Sequence, residues 1–388
     1  MSQLFSPLRI GPLTLPNRIV VPPMCQYSSQ DGRASSWHLA HWPQLALSGA
    51  GLVIIEATAV EPAGRISWAD LGLWDDATEQ AFGAALAAAR QWSPAAIGVQ
   101  LAHAGRKASS HRPWEHEGRP LDPDDGRAWQ TVSACAQGYR PSDPTPQALD
   151  EAGIGRVVEA FVDSARRAVR VGVDLIELHA AHGYLLHQFL SPLSNRREDG
   201  YGGTLEGRMR LALRVFDAVR EAVPAGVALG VRISATDWVP GGWDLPQSLV
   251  LARALQARGC DFIHVSSGGL DARQKIVLQP GYQVPFADAI RREVDMPVIA
   301  VGLITEPAQA EAILAAGQAD AIAVGRGLLF DPRWPWHAAA ALGASLETAP
   351  QYLRAAPHGL SGLLRPYPQG PGEHGAASPA GRQPGSRR

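Results

Sequence analysis

The stretch GRVVEAFVDSARRAVRVGVDLIELHAAHG, residues 155–183, decides the fold. Its first half places Val157, Val158, Phe161, Val162, Ala165 and Val169 on a three-to-four spacing with arginines between them. That is the period of a helix with one apolar face. Gly172 ends it. The second half, VDLIELHAAHG (173–183), is a short, nearly continuous apolar run that closes on histidine and glycine. Continuous apolarity, rather than alternation, marks a strand buried on both faces.

Working outward, seven more runs of this kind appear. They are RIVVPPM (18–24), GLVIIEATAV (51–60), AAIGVQLAHAG (95–105), ALGVRISATD (228–237), DFIHVSSGG (261–269), PVIAVGLI (297–304) and DAIAVGRGLL (320–329). Helical patterns separate most of them, at 76–92, 205–223, 245–259 and 306–318 as well as 155–172. Strand then helix, eight times, predicts an α/β fold of the (β/α)8 or TIM-barrel type. A doubly wound sheet would use fewer strands and usually carries G-x-G-x-x-G after the first, which is missing here. Before the first run, LFSPLRIGPLTLPNR reads as a hairpin closing the barrel floor. Between Ala104 and about Asp150 lies a long Pro-, Gly- and Trp-rich connection, read as a cap over the mouth. The barrel is expected over 1–356, and 357–388 is expected to be a disordered tail because it is dominated by Pro, Gly, Ser and Arg.

Composition narrows the function. Hydrophobic residues make up 46% of the 388, ample for one large core. The net charge of −2 gives no reason to expect nucleic acid or an anionic membrane as partner. No apolar run approaches the ~18 residues that span a bilayer, and the first residues do not read as a secretory signal. A cytoplasmic location is the expectation. Cys25, Cys135 and Cys260 lie far apart, which argues against a disulfide framework and leaves too few thiolates for a four-cysteine iron–sulfur cluster.

Active sites of this barrel lie at the C-terminal strand ends, so the residues closing each run deserve weight. Gly325 and Arg326 close the eighth run, the usual phosphate position; with Gly302 and the glycines of VSSGGL they favour a phosphate-bearing cofactor over plain tight turns. Gln100 and Arg232 close the third and fifth runs, where such residues need partners: a planar anionic ring, or a structural ion pair of Arg232 with Glu177 or Glu56. Cys25 alone reads as a small hydrophobe. His179, His182 and His187 suggest zinc at first, with His103, but the first run has no histidine and no carboxylate stands at an obvious fourth position. No metal is expected, and His187 reads as structural.

The segments PPMCQYS (22–28), EATAV (56–60), QLAHAGRKA (100–108), HAAHGYLLHQFLSPLSNRREDGYGG (179–203), VRIS (231–234) and AVGRGL (323–328) together resemble the Old Yellow Enzyme family. The cysteine of the first run and HAAHGY resemble its thermophilic-like subgroup, and the likeness covers residues 1 to about 356. The resemblance implies an FMN-dependent ene-reductase, with NADPH or NADH reducing the flavin and hydride passing to the β-carbon of an activated alkene, nitro compound or quinone. It implies that Pro22, Pro23, Met24 and Cys25 run along the ring, that Ala57 packs beside it, and that Gln100 bonds its pyrimidine side. Arg232 would counter negative charge on the reduced ring, and Gly302, Gly325 and Arg326 would hold the phosphate. His179 and His182 would bond the substrate oxygen, Tyr184 would give the proton, and Tyr27 would add a second phenol. Lys107 is expected to face the flavin pocket. The family also implies a homodimer or homotetramer, with Arg354 reaching a neighbouring site. Two readings from other classes stand beside it. One is a phosphate-ligand lyase or isomerase using Lys275 or Asp237; the other is a non-catalytic flavin scaffold.

Overall fold

The computed structural model describes residues 2–367. In chain order the strands are β1 Leu8–Ile10, β2 Leu13–Leu15, β3 Ile19–Val21, β4 Leu52–Ala59, β5 Ala96–Ala102, β6 Val132–Ser133, β7 Gln147–Ala148, β8 Leu175–Ala180, β9 Ala228–Ser234, β10 Phe262–Ser266, β11 Val298–Val301, β12 Ala321–Ala323, β13 Leu346–Thr348 and β14 Leu364–Pro366. The eight expected runs are β3, β4, β5, β8, β9, β10, β11 and β12. They close into a barrel in that order, all neighbours parallel.

The helices are α1 Ser36–Ala46, α2 Asp76–Arg90, α3 Glu151–Val171, α4 Leu185–Leu190, α5 Leu205–Ala222, α6 Leu245–Gln256, α7 Val284–Arg291, α8 Pro307–Ala315, α9 Arg326–Phe330 and α10 Trp334–Ala341. Helix α3 starts four residues before the apolar pattern predicts, because the Asp150 carboxylate accepts from Gly153 N at 2.7 Å and caps it. Its far end is Gly172, at φ 88°. That left-handed position is cheap only without a Cβ. Ile154, Val157, Phe161, Ala165 and Ala168 face the barrel and are buried.

The floor is the predicted hairpin. Leu8, Ile10 and Leu15 of β1 and β2 pack with Val20, Leu52, Leu175, Phe262 and Ile299 from the strands above. Truncating one such side chain, Phe262→Ala, costs about 3–5 kcal/mol.

The cap is folded through side chains rather than long elements. Buried Arg106 donates to Gln137 O at 3.4 Å, Gly138 O at 3.2 Å and Leu270 O at 2.9 Å. The Arg65 guanidinium sits between Trp74 and Trp129, and that of Arg112 between Trp68 and Trp114. Such contacts anchor a loop that has little periodicity of its own.

One expected boundary moves. The chain does not leave the fold at Ala356: β14 pairs with β13, and Leu363 and Leu364 are buried against Ala339 and Leu346. Two leucines inside a Pro- and Gly-rich stretch suffice to seat it. The remainder of the expected tail, 368–388, lies outside the described residues.

Candidate active site

Residues His179, Arg232 and His264 stand in register on β8, β9 and β10, as do Gln100 and Glu177 on β5 and β8. All five are buried in the mouth. Glu177 is saturated: it accepts from Gln100 Nε2 at 2.7 Å and from His264 Nδ1 at 2.8 Å. Glu56 is likewise engaged, by Gln26 N at 2.7 Å and His38 Nε2 at 3.3 Å. Neither carboxylate reaches Arg232 within ion-pair distance. Arg232 is 8% exposed, and its Nε has no hydrogen-bond partner among the described residues. No direct ion pair forms: the Glu177 charge acts on Arg232 only from beyond contact, and a buried guanidinium without a contacting anion is a costly arrangement unless a ligand completes it.

The β3 end supplies the next wall. Pro22, Pro23, Met24 and Cys25 follow Val21 in extended chain. A Cβ added at Gly325 would meet Pro22 Cγ at 3.5 Å and Met24 Sδ at 3.6 Å, so the first and last strand ends adjoin. Gly302 has φ 129°, and a Cβ there would lie 2.8 Å from Gln283 Nε2; only glycine fits. Gly325 is half-buried and Arg326 is exposed. Ala57, at the β4 bulge, is buried beside Cys25. Burial pushes the Cys25 thiol well up, with the Asp70 and Glu56 charges adding to it, so it is a thiol and not a thiolate at neutral pH. Tyr27, at φ 48°, sets its ring edge-on to Trp114 at 5.9 Å.

The β8 end carries the histidines. The rings of His179 and His182 are perpendicular at 5.1 Å, and those of His179 and Tyr184 at 4.9 Å. Burial, reinforced by the Arg232 charge, pushes both imidazoles well below their ordinary pKa, so each is neutral and carries one N–H. Burial, then the Cys25 and Asp70 charges, raises Tyr184 well above its ordinary value and keeps its phenol protonated. His182 is left-handed at φ 57°. Gly183 lets the backbone touch the β10 loop: a Cβ there would fall 2.2 Å from Gly269 O. Lys107, expected to face the flavin pocket, is bonded to the histidine loop. Its ammonium donates to His182 O at 2.9 Å and Gly269 O at 3.0 Å, under the Tyr184 ring.

The other candidates fall away from the mouth chemistry. His187 accepts from Gly183 N at 2.9 Å and faces Asp237 Oδ1 at 2.9 Å, as a structural residue does. Asp237 also accepts from Ser191 Oγ and Trp243 N, so it is no free base, and Lys275 is exposed. His103 is tied to Glu61 at 2.8 Å. Among the described residues no three His, Cys, Asp or Glu side chains converge to hold a metal ion. Arg354 is exposed on the 310 turn Pro350–Ala355 and makes no hydrogen bond or ion pair among them.

Sequence reasoning weighed Glu177 only as an ion-pair partner and passed over His264, Ser234 and the partners of Lys107. Glu177 was legible: it lies two residues before His179, hence on the same inward face.

A parallel barrel gathers a buried guanidinium with an unpartnered Nε, glycines at its late strand ends and a histidine pair at one mouth. The family model described as "NADH:flavin oxidoreductase / NADH oxidase family" matches residues 3–344. Among curated proteins, the chain is 45% identical to an NADPH dehydrogenase of Geobacillus thermodenitrificans, over 90% of this chain and 98% of that one. It is 44% identical to one of Listeria innocua, over 92% and 99%. Among solved structures, morphinone reductase aligns with TM-score 0.73 and 30% identity, over 89% of this chain and 91% of that one. A complex of the same enzyme with tetrahydroNAD aligns at 0.72. The chain belongs to the NADH:flavin oxidoreductase / NADH oxidase family and is Old Yellow Enzyme-like. It is an FMN-dependent oxidoreductase, and the lyase or isomerase reading is not favoured. The residues present fit the flavin, on the evidence of the partnerless Arg232 Nε.

Proposed function

We propose that the protein uses NADPH, or NADH, to reduce activated alkenes: α,β-unsaturated carbonyl compounds, nitroalkenes or quinones. When bound, FMN would supply the hydride chemistry that links the nicotinamide to the substrate β-carbon. Pro22, Pro23, Met24, Cys25 and Ala57 line the ring, and Gln100, oriented by Glu177, meets its pyrimidine edge. Arg232 offsets negative charge there. Gly302, Gly325 and Arg326 hold the phosphate.

His179 and His182 donate N–H bonds to the substrate oxygen, which takes up charge as hydride arrives. Tyr184 donates its phenolic proton to the α-carbon, a task that a phenol kept protonated by burial suits. Tyr27 adds a second phenol beside the substrate. Cys25 touches both ring and substrate as a neutral thiol. A homodimer or homotetramer with Arg354 of one copy at the mouth of another, in the cytoplasm, completes the proposal; the exposure of Arg354 is consistent with it.

One observation carries this reading: two imidazoles and a phenol stand with rings in contact around His179, beside a buried guanidinium whose Nε has no partner among the described residues; burial favours the neutral form of all three. Purified protein should be yellow, bleach with NADPH under argon, and regain its colour on adding 2-cyclohexenone. A preparation that takes up FMN and bleaches, yet is never reoxidised by enones, nitroalkenes or quinones, refutes the proposed substrate class.

Among the described residues no helix is long and apolar enough to cross a membrane.

A further inference from the structure

Residue Trp114 is 62% exposed, more than any other tryptophan among the described residues. An indole left in water forgoes the gain that burying its large apolar area would bring. It is nevertheless held still. The cap loop that carries it is closed at its base, where His111 N donates to Arg119 O at 2.9 Å and Leu121 N to Ser109 O at 2.8 Å. The loop tip turns through His116, Glu117 and Gly118, all at positive φ. The Arg112 guanidinium lies 5.3 Å from the Trp114 ring and 4.7 Å from that of Trp68, and it is itself paired with Glu115. The Tyr27 ring meets Trp114 at 5.9 Å, with 82° between the planes.

The same contacts place Trp114 at the mouth. Ser29 N donates to Ala69 O at 2.9 Å and Ser29 Oγ to Asp70 O at 2.5 Å, so the chain after Cys25 runs beside residues 69–70. Trp68, next to Ala69, is the ring on the other side of Arg112. Ser110 N donates to Ile66 O at 2.9 Å, which sews the cap loop to that segment. Tyr27 itself belongs to the site: burial pushes its phenol well up, and Cys25 and then Tyr184 add to the effect. Trp114 therefore stands one ring outward of Tyr27, on the rim of the same opening.

We infer that Trp114 is a specificity-determining residue, a fixed aromatic shelf on which an extended planar substituent of the substrate stacks. A ring already immobilised by its neighbours loses little freedom when a ligand settles on it. The occupant is an aryl or fused-ring group conjugated to the reducible double bond. Conjugation keeps such a group flat and in line with the alkene, so it leaves the mouth past Tyr27 as a rigid plane. A small aliphatic acceptor ends before the shelf and gains nothing from it.

The chemistry of this ligand rests on the alkene-reductase reading; the shelf does not. The test measures equilibrium binding to oxidised, FMN-loaded enzyme by calorimetry, which needs no turnover. The probes are (naphthylmethylidene)acetone and ethylideneacetone, which share one enone and differ in a naphthyl against a methyl group. Trp114→Ala should lower the preference for the naphthyl compound, read as the ratio of the two Kd values, roughly three- to tenfold, the contribution of one aromatic contact. Trp114→Phe should keep most of the preference. Trp114→Leu, which leaves bulk in the loop, should lose it, so the test survives an alanine variant that misfolds. An unchanged ratio in Trp114→Ala overturns the inference, also where both Kd values rise together, since the ring would then only prop the cap. A leucine variant as selective as the phenylalanine one overturns it too, because bulk and not planarity would be at work. An unchanged ratio with a raised KM for NADPH assigns the shelf to the nicotinamide cofactor and overturns it for the substrate. A lowered ratio, with neither enone reoxidising the reduced enzyme, upholds the shelf and refutes the alkene-reductase reading instead.

Discussion

The histidine loop after β8 and the Arg232 end of β9 are register neighbours, His179 opposite Arg232, yet they are finished differently. In the loop Ser234, Ser266, Lys107 and Ala181 between them engage His182 and His179. The left-handed turn at His182 costs on the order of 1–3 kcal/mol, which these bonds offset. Across the register Arg232 has none of this. The carboxylates that could pair with it are held by Gln100, His264, Gln26 and His38. On the function proposed above, the histidine loop is the substrate side, complete as folded, and the Arg232 end is the cofactor side, finished by its ligand. Preorganised donors cost no rearrangement during reaction, and an unpaired cation has high affinity for an anionic ring.

The strongest test of the complete side removes its acid. Tyr184→Phe should slow reoxidation of the reduced enzyme by an enone by about 10²–10⁴-fold, the usual worth of a positioned acid. Reduction by NADPH should be intact, which stopped-flow absorbance separates. Equal loss in both half-reactions would show that the phenol holds the loop together rather than giving a proton.

The incomplete side responds with two signs. Arg232→Met should weaken FMN binding by about 10- to 100-fold, as loss of a charged hydrogen bond does. The FMN-free protein should become more stable, on the order of 1–3 kcal/mol, because a buried charge without a partner has gone. Urea unfolding of both FMN-free forms measures this. A loss of stability would mean that Glu177 acts as counter-charge from beyond contact, and the contrast between the two sides would collapse.

A smaller effect is expected where the two sides meet. Cys25→Ala should shift the flavin midpoint potential by on the order of 30 mV, about 1.4 kcal/mol for a two-electron couple. An unchanged potential returns Cys25 to plain packing.

The two sides also differ in how far sequence could reveal them. The barrel was legible because eight short, nearly continuous apolar runs recur with helical patterns between most of them, as VDLIELHAAHG follows the 155–172 helix. The histidines, Tyr184 and Arg232 followed from that placement and from the family resemblance. What was illegible is partnership. Whether Arg232 pairs depends on Glu177 spending both oxygens on residues 77 and 87 positions away in the chain. Likewise the Lys107 ammonium serves two carbonyls brought together by the Gly183 and Gly269 contact, which its motif does not announce. The early boundary at Ala356 failed for a related reason. Leu363 and Leu364 make too short an apolar run to signal a strand until β13 lies beside them.

The smallest predicted effect isolates Lys107 through pH. Burial pulls its ammonium from 10.5 down to about 8. Its charged form is disfavoured in the fold, so between those values the unfolded chain keeps a proton that the folded chain has released. The Lys107 contribution to stability should therefore rise with pH from about 8, with a slope no steeper than ~1.4 kcal/mol per unit for one proton. Cys25 and Cys260, which burial holds protonated, pull the other way as pH approaches the ordinary thiol value of 9.0, and Tyr184 does so higher still. His179 and His182, pushed down by burial, make stability fall as pH drops below 6.5, while Asp70, pushed up to about 7, opposes them. The Lys107 part is therefore read as a difference: relative to the parent protein, Lys107→Met should lose the rising contribution between 8 and 9 while the acid limb stays as it was. It should also lower stability at pH 7, since two facing carbonyls lose their shared donor. If the rise survives in Lys107→Met, the ammonium is not the group released, and the loop is held by Ser234 and Ser266 without its help.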